Sequence, residues 1–136
     1  MYIGTSTGFF DLDEVKFIII KDHFAEIKFM TFNYNHNSEI FEITEESFDK
    51  FLKENDANFI KLSQKNKFSN TKTVFYVNCN KIACFINDKT YNITIKFKKS
   101  YFEDKEDTLY VDLKLNDLEF EMIKAKIAKD EKFVNI

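Results

Sequence analysis

Nine of the twenty lysines fall between residues 61 and 100, against a single acid, Asp88, so that block carries +8. Lys65, Lys67, Lys72, Lys81, Lys89, Lys96, Lys98 and Lys99 are the residues expected to neutralise phosphates if the chain holds nucleic acid. Tyr76, Phe85, Tyr91 and Tyr101 are the rings available for stacking on bases. The competing reading gives the first five lysines to the solubility of loops and pairs Lys96 and Lys98 with acids elsewhere. The chain has no arginine, which removes the guanidinium fork that reads guanine and phosphate bidentately. No glycine-plus-aromatic signature of an RNA-binding module is present.

The acids gather on either side of this block: residues 1–60 carry −7 and residues 101–136 carry −4. Asp11, Asp13 and Glu14 precede a candidate hairpin. Glu103, Asp104, Glu106 and Asp107 follow the pair Tyr101-Phe102. Aromatic residues beside charge anchor many protein interfaces, so the 101–107 run is the preferred protein-contact site, with Asp11–Glu14 as a second acidic patch that could steer a basic partner.

Three motifs imitate catalysis. Gly4-Thr5-Ser6-Thr7-Gly8 spells a nucleophile elbow, but an elbow needs a strand-to-helix turn followed by an acid and a histidine. The only histidines, His23 and His36, fall on expected turns. Asp13 with Glu26-Ile27-Lys28 matches the carboxylate-and-lysine pattern of magnesium nucleases, a match that 43 charged residues in 136 produce readily by chance. Cys79 and Cys84 lack the two-residue spacing and second ligand pair of a zinc site. No metal, cofactor or catalytic residue is therefore expected, and the chain reads as a non-enzyme.

Composition bounds the rest. At 136 residues and 44% hydrophobic, the chain is long enough for one core. The longest apolar run, Phe17–Ile20, is far short of a bilayer span. There is no signal-peptide pattern at the N-terminus, and two cysteines make no disulfide framework, so a reduced, cytoplasmic setting is expected. Seventeen phenylalanines, thirteen asparagines and the absence of arginine and proline match AT-rich coding, as in a low-GC bacterium or its phages and mobile elements.

These residues need elements to position them. Apolar runs between turn residues predict strands at 15–21, 24–33, 39–43, 59–62, 73–77 and 82–86, and period-two alternation predicts them at 91–97 and 109–115. Strands 73–77, 82–86 and 91–97 are read as a three-strand meander, residues 63–72 and 33–38 as loops, and 133–134 as a last short strand. Thr44 caps a helix over about 45–55, with Phe48, Phe51 and Leu52 on its buried face. Asn116 with Glu119 forms a capping box for a helix over about 117–129, with Leu118, Met122, Ile123 and Ile127 as its buried stripe. The expectation is one α+β domain over 1–136: a mainly antiparallel meander sheet with two helices packed on it.

With catalysis set aside, binding remains. The first expectation is a protein-binding module that occludes a functional surface of a larger protein or ribonucleoprotein. Small, charge-segregated α+β chains of this kind resemble, in style and not in motif, toxin-immunity proteins and phage counter-defence proteins such as anti-CRISPR inhibitors. The alternative is nucleic-acid binding through residues 61–100. Unguarded sheet edges make self-association a further expectation, and no membrane is implied.

Overall fold

The computed structural model describes residues 1–30, 38–88, 92–99, 107–129 and 132–136. Tyr2–Gly4 (β1) and Phe9–Asp11 (β2) form a short hairpin. A five-stranded antiparallel sheet follows from Val15–Lys21 (β3), Phe24–Phe29 (β4), Ser38–Glu42 (β5), Phe59–Lys65 (β6) and Lys72–Asn78 (β7), in the order β5-β4-β3-β7-β6. Ile82–Asn87 (β8), Ile93–Phe97 (β9) and Thr108–Val111 (β10) make a separate three-stranded sheet. Two helices, Glu45–Asn55 (α1) and Asp117–Ile127 (α2), complete the α+β domain.

The five-stranded sheet is the middle layer, and its two faces build two cores. On one face Ile18, Ile20, Ala25, Ile27, Val74 and Tyr76 pack against Phe48 of α1 and Phe10 of the hairpin. On the other, Phe17, Ile60, Leu62, Phe75 and Val77 meet Ile93, Ile95, Phe97, Leu109 and Val111 of the three-stranded sheet. Central β3 and β7 are covered on both faces, which is why their sequences run apolar without alternating. The outer strands β9 and β10 alternate because only one of their faces is covered.

Local signals set several boundaries. Asp22 adopts a left-handed φ of 56° in the β3–β4 turn. The Thr44 hydroxyl accepts the Ser47 amide at 3.2 Å, and α1 stops at Asp56, left-handed at φ 47°. The Asn116–Glu119 capping box forms with both of its hydrogen bonds.

Four expectations need correction. Residues 73–77 belong to the five-stranded sheet, not to a meander with 82–86: a 3-10 turn at Cys79–Lys81, capped by Asn78, carries the chain from one sheet to the other. Residues 63–72 are no simple loop, since Ser63–Lys65 and Lys72 pair across the β6–β7 hairpin. Strand 109–115 ends at Val111, where the Asp112 amide donates to the Gln64 side chain at 2.8 Å. Residues 133–134 form no strand. The loop read at 33–38 lies outside the described residues, apart from Ser38, which opens β5.

The stripe assigned to α2 is also rotated. Ile123 and Ile127 pack inward with Phe120, while Leu118 and Met122 are exposed. The helix packs beside β8, where Phe120 stacks on Phe85 at 6.0 Å. On another flank, Glu119 and Met122 border a groove with Lys61, Leu62 and Ser63 of β6.

Candidate nucleic-acid interface

With Ile93, Ile95, Phe97, Leu109 and Val111 turned to the core, the intervening residues of β9 and β10 form the outer face of the three-stranded sheet. The registers place Lys96 between Cys84 and Thr108, and Thr94 between Ile86 and Tyr110. Lys98 extends this row beyond β9, its amide donating to the Lys81 carbonyl at 2.8 Å. Tyr110 is 63% exposed. Its position was legible, because inward Leu109 and Val111 force the residue between them outward.

The lysines of the basic block divide into two groups. Lys61 lies 2.7 Å from Glu45 and 2.8 Å from Asp49, Lys72 lies 2.9 Å from Glu45, and Lys67 lies 3.7 Å from Asp112. Those pairs bind α1 to the sheet and the β6–β7 hairpin to the chain after β10. Among the described residues, Lys81, Lys96 and Lys98 form no ion pair, and exposed Lys65 faces Lys72 across the hairpin. The idea that acids elsewhere answer Lys96 and Lys98 is thereby corrected. Lys99 is exposed beside them, and Lys89 lies outside the described residues.

Of the four rings read as stacking platforms, the two that are described do not stand on this face. Tyr76 is buried, its hydroxyl donating to Asp49 at 2.6 Å, and Phe85 is taken up by Phe120. Tyr91 and Tyr101 lie outside the described residues.

Around Tyr76 the electrostatics are coherent. Hydrogen bonds from Lys61 and then Lys72 hold the Glu45 carboxyl below its ordinary value. Burial pushes Asp49 up, but bonds from Lys61 and Tyr76 outweigh it and leave the carboxyl lowered. Burial would likewise lower Lys61, yet its bonds to Asp49 and Glu45 raise it overall. Burial and the Asp49 carboxylate together push the Tyr76 phenol far up. This cluster is a clamp: every group keeps its charge state through the neutral range and none is poised to exchange a proton.

Of the residues read as acidic contact sites, Asp107, Asp11, Asp13 and Glu14 are described. Asp107 does not offer itself to a partner: its carboxylate meets the fully buried Lys16 ammonium at 2.7 Å. The Asp11 side chain accepts the Asp13 amide at 3.0 Å, capping a 3-10 turn, and the N-terminal ammonium lies 3.5 Å from Asp11 and 3.4 Å from Asp13. Glu14 ends that turn, and its carbonyl accepts the Met30 amide. Tyr101, Phe102, Glu103, Asp104 and Glu106 lie outside the described residues.

The catalytic look-alikes have ordinary settings. Gly4 to Gly8 closes the β1–β2 hairpin, with the Thr5 amide donating to the Gly8 carbonyl at 2.7 Å. This is no strand-to-helix elbow. Asp13 is occupied by the N-terminus. Burial pushes the Cys79 thiol up to about 11, and Cys84 is exposed and unlinked. Among the described residues no group of three or more metal-ligating side chains comes together, and no helix is long and apolar enough to cross a membrane.

No described protein family matches the chain, and neither does any curated protein. Among solved structures, the chain is similar to the LytTr DNA-binding domain of a methyl-accepting/DNA response regulator from Bacillus cereus, with a TM-score of 0.48 and 16% sequence identity over 93% of this chain and 94% of that one.

Proposed function

We propose that this chain is a non-catalytic nucleic-acid-binding module that uses the outer face of the three-stranded sheet. The observation that carries the reading is the row Lys96–Lys98 with Lys81 at its end, cations without an internal counter-ion, on the same face as the exposed ring of Tyr110. Adjacent strands stand about 4.8 Å apart, so ammonium groups on this face can follow successive backbone phosphates while Tyr110 offers a ring to a base or sugar.

The test is fluorescence anisotropy with labelled duplex and single-stranded oligonucleotides at low salt. Binding to at least one of them, weakening steeply as salt rises and abolished by Lys96→Glu with Lys98→Glu, is the expected result. Absence of binding to either nucleic acid by the folded protein would overturn the reading.

A second reading, docking onto a protein as an inhibitor does, has one observation in its favour. The three-stranded sheet covers β3, β7 and β6 but not β4 and β5, where Phe24 and Ile40 stand exposed among Glu26 and Glu42. That surface suits a basic, partly apolar protein partner. A stoichiometric complex that survives moderate salt and fails with Phe24→Ala and Ile40→Ala would select this reading over the first.

A further inference from the structure

Side chains on the outer face of the three-stranded sheet stand in two rows. Thr94 lies between Ile86 and Tyr110, and Lys96 lies between Cys84 and Thr108. In the first row the flanking side chains are the bare ones, Tyr110 at 63% and Ile86 at 45% exposed, with the short Thr94 between them. Neither Tyr110 nor Ile86 joins either hydrophobic core.

The character of the face changes along β9 and just past it. Lys96 lies about 7 Å beyond Thr94, and Lys98 about as far again. The Lys98 amide donates to the Lys81 carbonyl at 2.8 Å, which adds a third cation at that end. Among the described residues none of these three ammonium groups has an ion-pair partner. One end of the face is therefore a ring with an alkyl neighbour, and the other is a short track of uncompensated positive charge.

That division selects the form of nucleic acid. A sheet of three strands, about 10 Å between its outer backbones before side chains are added, is too broad for a major groove about 12 Å wide, which takes a helix or a two-stranded ribbon. Arginine, asparagine and glutamine, which read base edges through paired hydrogen bonds, are absent from the two rows. In a duplex the faces of the bases are covered by their neighbours, so the Tyr110 ring would have nothing to stack on. An unpaired strand offers base faces and phosphates together, and stacking on a ring tolerates any base.

Resting on the nucleic-acid reading above, we infer that the ligand of this face is a single strand. One base stacks on Tyr110, and the adjoining phosphates run over Lys96 towards Lys98 and Lys81. Phosphates and base faces are common to DNA and RNA, so the face binds either sugar.

The chain has no tryptophan, so Tyr110→Trp places a lone indole reporter at the stacking position. The probes are a strand of alternating adenine and cytosine, made once as DNA and once as RNA, and the DNA strand annealed to its complement. Both single strands should quench the indole fluorescence, and the duplex should not. By anisotropy, Tyr110→Leu should weaken single-strand binding about ten-fold, while Tyr110→Phe, which keeps the ring, should bind as the parent does. The side chain is exposed, and an unchanged circular dichroism spectrum checks that each variant is folded.

Tighter binding of the duplex than of the single strands, abolished by Lys96→Glu with Lys98→Glu, would overturn the inference and leave the nucleic-acid reading standing. Single-strand binding that is indifferent to Tyr110→Leu or leaves the indole unquenched, or binding of only one of the two sugars, would also overturn it. No binding to any of the three probes would remove the inference and the reading together.

Discussion

Lys16 and Asp107 are 91 residues apart in sequence and 2.7 Å apart in space. Lys16 has no exposed surface and sits where the β3–β4 register shifts, a bulge that turns a charged residue inward within an apolar strand. Nothing local in the sequence announces this. Lys16, between Val15 and Phe17, reads as an ordinary charged strand residue, and Asp107 reads as one more member of a solvated acidic run. The asymmetry of burial makes a prediction. Asp107→Ala removes a counter-charge from a buried ammonium and should destabilise the fold by about 3 kcal/mol, whereas Lys16→Met leaves behind a carboxylate with 26% of its side chain exposed and should cost about 1 kcal/mol or less. Urea midpoints of the two variants measure the difference, and a larger loss for Lys16→Met would show that the pair does not govern this contact. Tyr110 is the opposite case, a site residue wholly legible from the alternation of its neighbours. The rings first considered for stacking were chosen by type alone, and type does not reveal that Tyr76 is buried under α1.

Elements were easier to read than their pairings. Both helices announce themselves through caps, Thr44 and Asn116, whose side chains accept amides of the first turn. Strand existence followed from alternation and from turn chemistry such as Asp22. What stayed hidden was which strands share a sheet, because the 3-10 turn at Cys79–Lys81 is three residues long and resembles any hairpin loop. The face of α2 was misassigned for a related reason: Leu118, Phe120, Met122 and Ile123 are all apolar, so sequence periodicity alone does not say which side faces the sandwich.

The docking of α1 makes a pH prediction. Glu45 and Asp49 are held below ordinary values of 4.5 and 3.8. The folded state therefore binds their protons less readily than the unfolded chain, and the stabilisation is complete above about pH 5. It is lost as pH falls through the lowered folded-state values. Lys61, raised above 10.5, contributes below that pH and loses its contribution as pH climbs past its folded-state value. Urea midpoints for the parent should stay level from pH 8 to about 5 and then fall. Glu45→Gln with Asp49→Asn should start lower at neutral pH and fall less steeply on the acid side. An acid slope identical in parent and variant would mean the clamp does not couple to folding.

At the scale of the whole molecule, the segregation of charge along the chain is only partly a segregation in space. The acidic first third and the basic middle are interleaved where α1 lies on β6 and β7, so Lys61 and Lys72 are neutralised by Glu45 and Asp49 before any partner arrives. Among the described residues, the lysines of the basic block that form no ion pair are Lys65 on the β6–β7 hairpin and Lys81, Lys96 and Lys98 along the three-stranded sheet. A net of +8 over residues 61–100 consequently overstates what a phosphate backbone would meet, and counter-ion release turns that into a number. If Lys81, Lys96 and Lys98 neutralise about three phosphates, the logarithm of the binding constant should fall against the logarithm of salt with a slope of about −2 for single strands and nearer −3 for duplex. Lys96→Gln with Lys98→Gln should reduce the slope to about a third of its parent value. Lys61→Gln and Lys72→Gln, made separately, should lower the urea midpoint by loosening α1 and leave the slope unchanged, because those ammonium groups already have carboxylate partners. A parent slope well beyond −3 that drops with Lys61→Gln would place the phosphates against the β6–β7 hairpin instead, and the assignment of the outer β9 face would fall with it.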